Sequence, residues 1–246
     1  MSVTNTAACC TLPPVQAEYT PKGSYSDFTG LKTYITGEKD AKQAVLIVYD
    51  VFGFSPQILQ GADLLASQGY AVYMPDFLGG DYAQPEWFSG SEEGTKMRTT
   101  WFSKFPGSIS SQAKPVGNVI SEIKSKHGQV GAAGFCWGWK VLVMTENGDK
   151  LAGIAGCHPS LIAADDVEKL SVPVALLPSE GEDMKIINEI YEGLEKKSPG
   201  SSFVKEYPKM PHGWMAARGD LKGEEGSKAF HDGYSTLAAF FKQNMK

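Results

Sequence analysis

Apolar positions along the chain follow two alternating periodicities. "AVLIVYD" (44–50) is an unbroken apolar run, the pattern of a strand covered on both faces. "YAVYMPDF" (70–77), "QVGAAGF" (129–135), "LAGIAGCHPS" (151–160) and "SVPVALLPSEGED" (171–183) repeat the theme, the last two running into polar loops. Between them lie segments with apolar residues at helical spacing. In "SPQILQGADLLASQ" (55–68), Ser55 stands at the N-cap position, Pro56 at the first helical position, and Ile58, Ala62, Leu65 and Ala66 share a face. Further helices are expected near 91–105 and over 114–126, 137–146, 184–197 and 227–245. "KTYITG" (32–37) reads as an early antiparallel strand and "SFVKEYP" (202–208) as a final strand.

Strand–helix alternation of this kind predicts an α/β fold: a mostly parallel central sheet with helices on both faces. Ligands bind such sheets beyond the carboxyl ends of the strands, so the loops there carry the candidate chemistry. Residues 1–23, rich in Thr, Ala and Pro, are expected to form an arm laid over a single domain spanning 24–246.

Composition narrows the classes of function. The chain of 246 residues has 42% hydrophobic and 21% charged residues, the balance of a globular protein, and a net charge of −5 argues against a nucleic-acid binder. No apolar run approaches the roughly 20 residues of a membrane span. The start "MSVTNTAACCTLPPVQ" lacks the basic residues and long apolar core of a secretory signal. The four cysteines, Cys9, Cys10, Cys136 and Cys157, make no disulfide framework, so a reducing, cytoplasmic setting is expected. No assembly motif stands out, so a monomer is expected, with a weak dimer as the alternative.

The chemistry concentrates at "VGAAGFCWGWKVLVM" (130–144). Cys136 falls where an apolar strand meets a helix, with Gly134 and Gly138 two residues away on either side. A nucleophile at a sharp strand-to-helix turn needs small neighbours there, and the helix N-terminus favours a thiolate. Gly-x-Cys-x-Gly alone equally fits a structural cysteine. A nucleophile also needs a base and a group to orient it, in the chain order nucleophile, acid, histidine. Of four histidines, His127 and His231 sit on helices away from the strand ends, whereas His212 in "KMPHGWMAARGD" follows the final strand. The acid belongs in the loop after "VPVALLPS". Glu180, Glu182 and Asp183 compete there, and Asp183, just before the 184–197 helix, is favoured although it could also cap that helix. Of the backbone donors that would hold an oxyanion, one is the amide after the nucleophile, Trp137. No C-x-x-C, zinc-ligand spacing, P-loop or dinucleotide fingerprint occurs, so redox-pair, metalloprotease, P-loop and dinucleotide readings lack support.

Taken in order and spacing, "VYDVFGFSPQI", "PDFLGG", "VGAAGFCWGW", "PSEGED" and "PHGW…R" resemble the dienelactone hydrolase family of the α/β-hydrolase fold. The resemblance runs from about residue 30 to 245. It implies a carboxylic ester or lactone hydrolase (carboxymethylenebutenolidase-like) that needs no cofactor, acts on a small molecule and uses a Cys-His-Asp triad: Cys136, His212 and Asp183. It also implies Val51 as the second oxyanion donor. Asp50 stands where bacterial members carry a thiol-activating glutamate, and the shorter side chain equally suits a structural role. Arg218 lies six residues after His212 rather than four, so its part in binding a substrate carboxylate is open; Arg98 is the other arginine. Phe52, Tyr82, Trp87, Trp214 and His158 complete the candidate pocket residues, although core or lid packing is the plainer reading of most of the aromatics, and capping and turn-making that of His158 and Ser160. The same triad would serve a biosynthetic acyl-transfer, cyclising or thioester-cleaving enzyme. A non-catalytic hydrolase-like binding protein would lack a triad member.

Overall fold

The computed structural model describes residues 13–246. Eight strands form one sheet: β1 (Ser24–Phe28), β2 (Leu31–Thr36), β3 (Gln43–Val48), β4 (Ala71–Pro75), β5 (Gln129–Phe135), β6 (Gly153–Cys157), β7 (Val174–Leu177) and β8 (Phe203–Val204). Their spatial order is β1-β2-β4-β3-β5-β6-β7-β8. β1 and β2 pair antiparallel, β2 pairs antiparallel with β4, and every later pairing is parallel. The apolar runs sit where full burial is required: all residues of β4, β6 and β7 are buried, and Ala44–Val48 of β3 are completely so.

Among the described residues, seven α-helices complete the fold: α1 (Pro56–Ala66), α2 (Glu92–Phe102), α3 (Ile109–Lys126), α4 (Trp137–Met144), α5 (Asp166–Lys169), α6 (Met184–Lys197) and α7 (Glu224–Asn244). α1 begins as its sequence predicts, with Ser55 Oγ accepting from Ile58 N–H and Pro56 at the first position. α6 occupies the expected span. α7 starts three residues earlier than expected, at Glu224 and Glu225, whose charges suit a helix N-terminus.

Three differences have clear physical causes. β1 carries no strand pattern in the sequence, because "SYSDF" is polar and four of its five residues are exposed; backbone pairing with β2 makes it a strand. α3 begins five residues before the expected start, capped by Ser108, and tolerates Pro115 inside it at the loss of one backbone bond. β8 is only two residues long, and the segment beyond continues as a lone bridge between Tyr207 and Ser179.

Residues 13–23 are tied to α1 and to the loop after β8 by hydrogen bonds. Val15 N–H donates to Ala217 O, Gln57 Nε2 donates to Val15 O, and Tyr19 and Lys22 bond to Asp63. Residues 1–12 of the expected arm, with Cys9 and Cys10, lie outside the described residues. Among the described residues, no helix is long and apolar enough to cross a membrane.

Candidate active site

Cys136 links β5 to α4 with φ 53° and ψ −112°, a conformation that costs a residue with a side chain on the order of 1–3 kcal/mol. The flanking glycines make the turn possible. A Cβ on Gly134 would lie 2.6 Å from Gly138 O and from Trp139 N, and one on Gly138 would collide with Val48 O of β3. The elbow is thus wedged against the neighbouring strand. It aims the thiol at the carboxyl edge of the sheet, with the α4 N-terminus beneath it.

His212 is buried in the loop after β8, and its Nδ1 lies 2.6 Å from Glu182 Oε1. Glu182 is itself buried, and its carboxylate is saturated by donors: His212, the Ser179 hydroxyl and the Ser179 backbone N–H. The acid on the histidine is therefore Glu182, which corrects the expectation of Asp183. Asp183 is the N-cap of α6, its Oδ1 accepting from Lys185 N–H at 3.0 Å and Ile186 N–H at 3.3 Å. A carboxylate turned back onto its own helix faces away from the histidine, and the preceding residue fills that place. Glu180 is exposed. The signal available in the sequence was the capping position itself: a residue committed to N-capping α6 is a poor choice for the acid.

The loop after β6 also reaches the site, contrary to the plainer reading of it as a turn. Ser160 Oγ is 3.4 Å from Cys136 Sγ, and Ser160 N–H donates to Cys136 O. His158 is completely buried and packs edge-on against His212, with ring centroids 5.0 Å apart, and against Phe135. Burial drives its pKa well below the usual histidine value, and the positive potential of His212 and Arg218 adds to the shift. His158 is thus a neutral imidazole. The other two histidines behave as expected: His127 bonds Ala41 O and Tyr73, and His231 is exposed on α7.

Asp50 is buried after β3. It accepts from Phe52 N–H at 2.9 Å and from Ala217 N–H at 3.3 Å, so one carboxylate ties the loop carrying Val51 to the loop carrying His212. Burial raises its pKa, opposed by the two amide donors, Arg218 and His212. Trp137 occupies the first position of α4, where the N–H has no intrahelical acceptor, and Val51 lies at the head of the loop after β3.

Arg218 is buried rather than solvated, with its guanidinium 5.3 Å from the centre of the Phe52 ring and 5.7 Å from that of Phe88. Arg98, from α2, approaches Phe88 at 5.5 Å and donates to Trp87 O. Both arginines of the chain therefore converge on one aromatic pair. Tyr82 donates to Asp76 and lines a groove of about 800 Å3 with Phe52, Ala217 and arm residues 14–18. Trp87 is buried against Trp101 within the 79–110 segment. Trp214 does not fit the pocket role expected of it: it packs against Tyr207 with ring centroids 4.3 Å apart and planes tilted by 37°, and it abuts Gly233 of α7, a core position.

A mostly parallel sheet with a strained cysteine elbow after β5, and a histidine held by an acid from the loop after β7, is the α/β-hydrolase arrangement. The chain belongs to the dienelactone hydrolase family, whose sequence model matches residues 31–245. It is 37% identical over 238 residues to an uncharacterized AIM2 family protein of Schizosaccharomyces pombe, covering 94% of this chain and 95% of the relative. It is 27% identical over 212 residues to the carboxymethylenebutenolidase homolog of Mus musculus, covering 80% of this chain and 81% of that one. Among solved structures, the dienelactone hydrolase of Anabaena variabilis superposes with a TM-score of 0.63 at 18% identity, covering 92% of this chain and 99% of the other.

Proposed function

We propose that this chain hydrolyses a carboxylic ester or lactone through a covalent acyl-enzyme on Cys136, with His212 as base and Glu182 as its orienting acid. The observation that carries this reading is the buried Glu182–His212 pair in a fold whose elbow holds a strained cysteine. With Nδ1–H donated to Glu182, His212 presents Nε2 as the proton acceptor, and the carboxylate stabilises the imidazolium that forms. Cys136 Sγ attacks the carbonyl as its proton passes to His212. The oxyanion is held by the N–H groups of Trp137 and Val51, and loss of one such donor typically costs about 10²–10³ in rate. The tetrahedral intermediate collapses to a thioester as the alcohol leaves with the proton from His212. A water deprotonated by His212 then releases the acid and restores the thiol.

The two arginines and the Phe52–Phe88 pair favour a flat acyl group that bears a carboxylate. An ester and lactone panel, with and without a carboxylate, tests both halves of the reading. Cys136→Ala is expected to abolish turnover while keeping the fold. Intact-mass and peptide analysis of wild type under turnover is expected to show an acyl group on the peptide containing residue 136. Full activity in the alanine variant would overturn the assignment.

A further inference from the structure

The geometry points to Ser160 as the residue that stabilises the Cys136 thiolate, in the place where the bacterial pattern of the family would use the acidic group at position 50. The inference rests on the reading of Cys136 as nucleophile.

Two observations separate the candidates. Asp50 is committed elsewhere: one carboxylate oxygen accepts from Phe52 N–H and the other from Ala217 N–H. Ser160 is almost completely buried, its hydroxyl lies 3.4 Å from Cys136 Sγ, and among the described residues that is the one hydrogen bond its hydroxyl makes. The backbone supports the contact. Ser160 N–H donates to Cys136 O, and Cys136 N–H donates to Cys157 O, so the end of β6 and its loop are clipped to the elbow on both sides. His158 and Leu161, which bracket Ser160, have φ of 36° and 56°, in the left-handed region that residues with side chains avoid. A loop held in that shape delivers the hydroxyl to the sulfur.

Once the thiol has lost its proton, only the hydroxyl has a hydrogen to share, so Ser160 Oγ–H donates and Sγ accepts. No proton is transferred between them. A hydrogen bond made to the ionised form favours that form. The thiolate therefore becomes available at lower pH, and Ser160 qualifies as a catalytic residue because it touches the reacting atom. The other ionisable groups around the elbow are Asp50 after β3, His158 after β6, Glu182 after β7, His212 and Arg218 after β8, and Lys140 one turn along α4, which is paired with Asp166. Each stays in place when Ser160 is changed.

The test uses alkylation, which needs no ester substrate. Full-length wild type, Ser160→Ala and Asp50→Asn are treated with iodoacetamide across a pH series, and modification is read on the peptide containing residue 136 so that other cysteines do not contribute. The Ser160→Ala thiol is expected to titrate about one pH unit higher than wild type. Its alkylation at neutral pH should slow about threefold, because the higher-pKa thiolate is intrinsically more nucleophilic. Asp50→Asn is expected not to raise the thiol pKa. A Ser160→Ala profile superimposed on wild type, or an upward shift of similar size in Asp50→Asn, would overturn the inference. If the alanine variant does not fold, as judged by circular dichroism, Ser160→Gly removes the same hydroxyl and carries the same comparison. Loss of the Ser160 effect while Cys136→Ala still abolishes hydrolysis would refute this inference alone. Hydrolysis that survives Cys136→Ala would instead remove the reading beneath it.

Discussion

The elbow after β5 and the acid loop after β7 contribute one group each to the candidate site, yet they are built on different principles. At the elbow, steric exclusion leaves few choices: Gly134 and Gly138 face backbone atoms where a Cβ cannot fit, and Cys136 takes the strained turn between them. In the acid loop, three carboxylates stand within four residues, and hydrogen-bond competition sorts them. Asp183 goes to the helix, Glu182 to the histidine and Glu180 to solvent. Sterics leaves a signature of residue types at fixed spacing. Competition among equivalent donors and acceptors leaves none, because the outcome depends on where the histidine arrives from a distant loop.

This contrast can be broken most sharply at Glu182. Glu182→Gln keeps the shape but removes the charge opposite the imidazolium, and kcat should fall about 10³–10⁴-fold with the substrate panel. A smaller loss in Asp183→Ala than in Glu182→Gln is the decisive comparison; the reverse order would restore Asp183 as the acid.

At the elbow, Gly138→Ala presses a methyl group against Val48 O, and overpacking of that kind costs about 1–3 kcal/mol. Urea unfolding should show the loss, and alkylation of Cys136 should change with it because the turn itself is displaced. Asp183→Ala should cost about 1 kcal/mol of stability through the lost cap, with kcat unchanged.

The smallest effect concerns His158. Its folded pKa is depressed, whereas the unfolded chain takes up a proton near about pH 6.5. Below that pH the unfolded state binds more protons, so stability falls as pH drops. A His158→Leu variant should show a shallower loss of stability between about pH 7 and 5 in urea titrations. An unchanged slope would mean that this imidazole is protonated in the fold.

Most of the fold was legible because burial on both sheet faces writes itself as apolar runs, as in β3, and because an apolar stripe on a helix repeats visibly, as in α6 over Met184–Lys197. β1 was not legible, since it is an edge strand held by backbone pairing with mostly exposed side chains. In the site, Cys136 and His212 follow from chain order and strand ends. Glu182, the burial of Arg218 and the turn of Trp214 into the core depend on how separate loops pack, which spacing along the chain does not encode.

Asp50 has a consequence beyond the charge it carries. By accepting an N–H from the Val51-bearing loop and another from the His212-bearing loop, it sets the distance between those two loops when the chain folds. The entropy of assembling those parts is then lost during folding rather than at each encounter with substrate. Substitutions on either loop should accordingly be felt on the other.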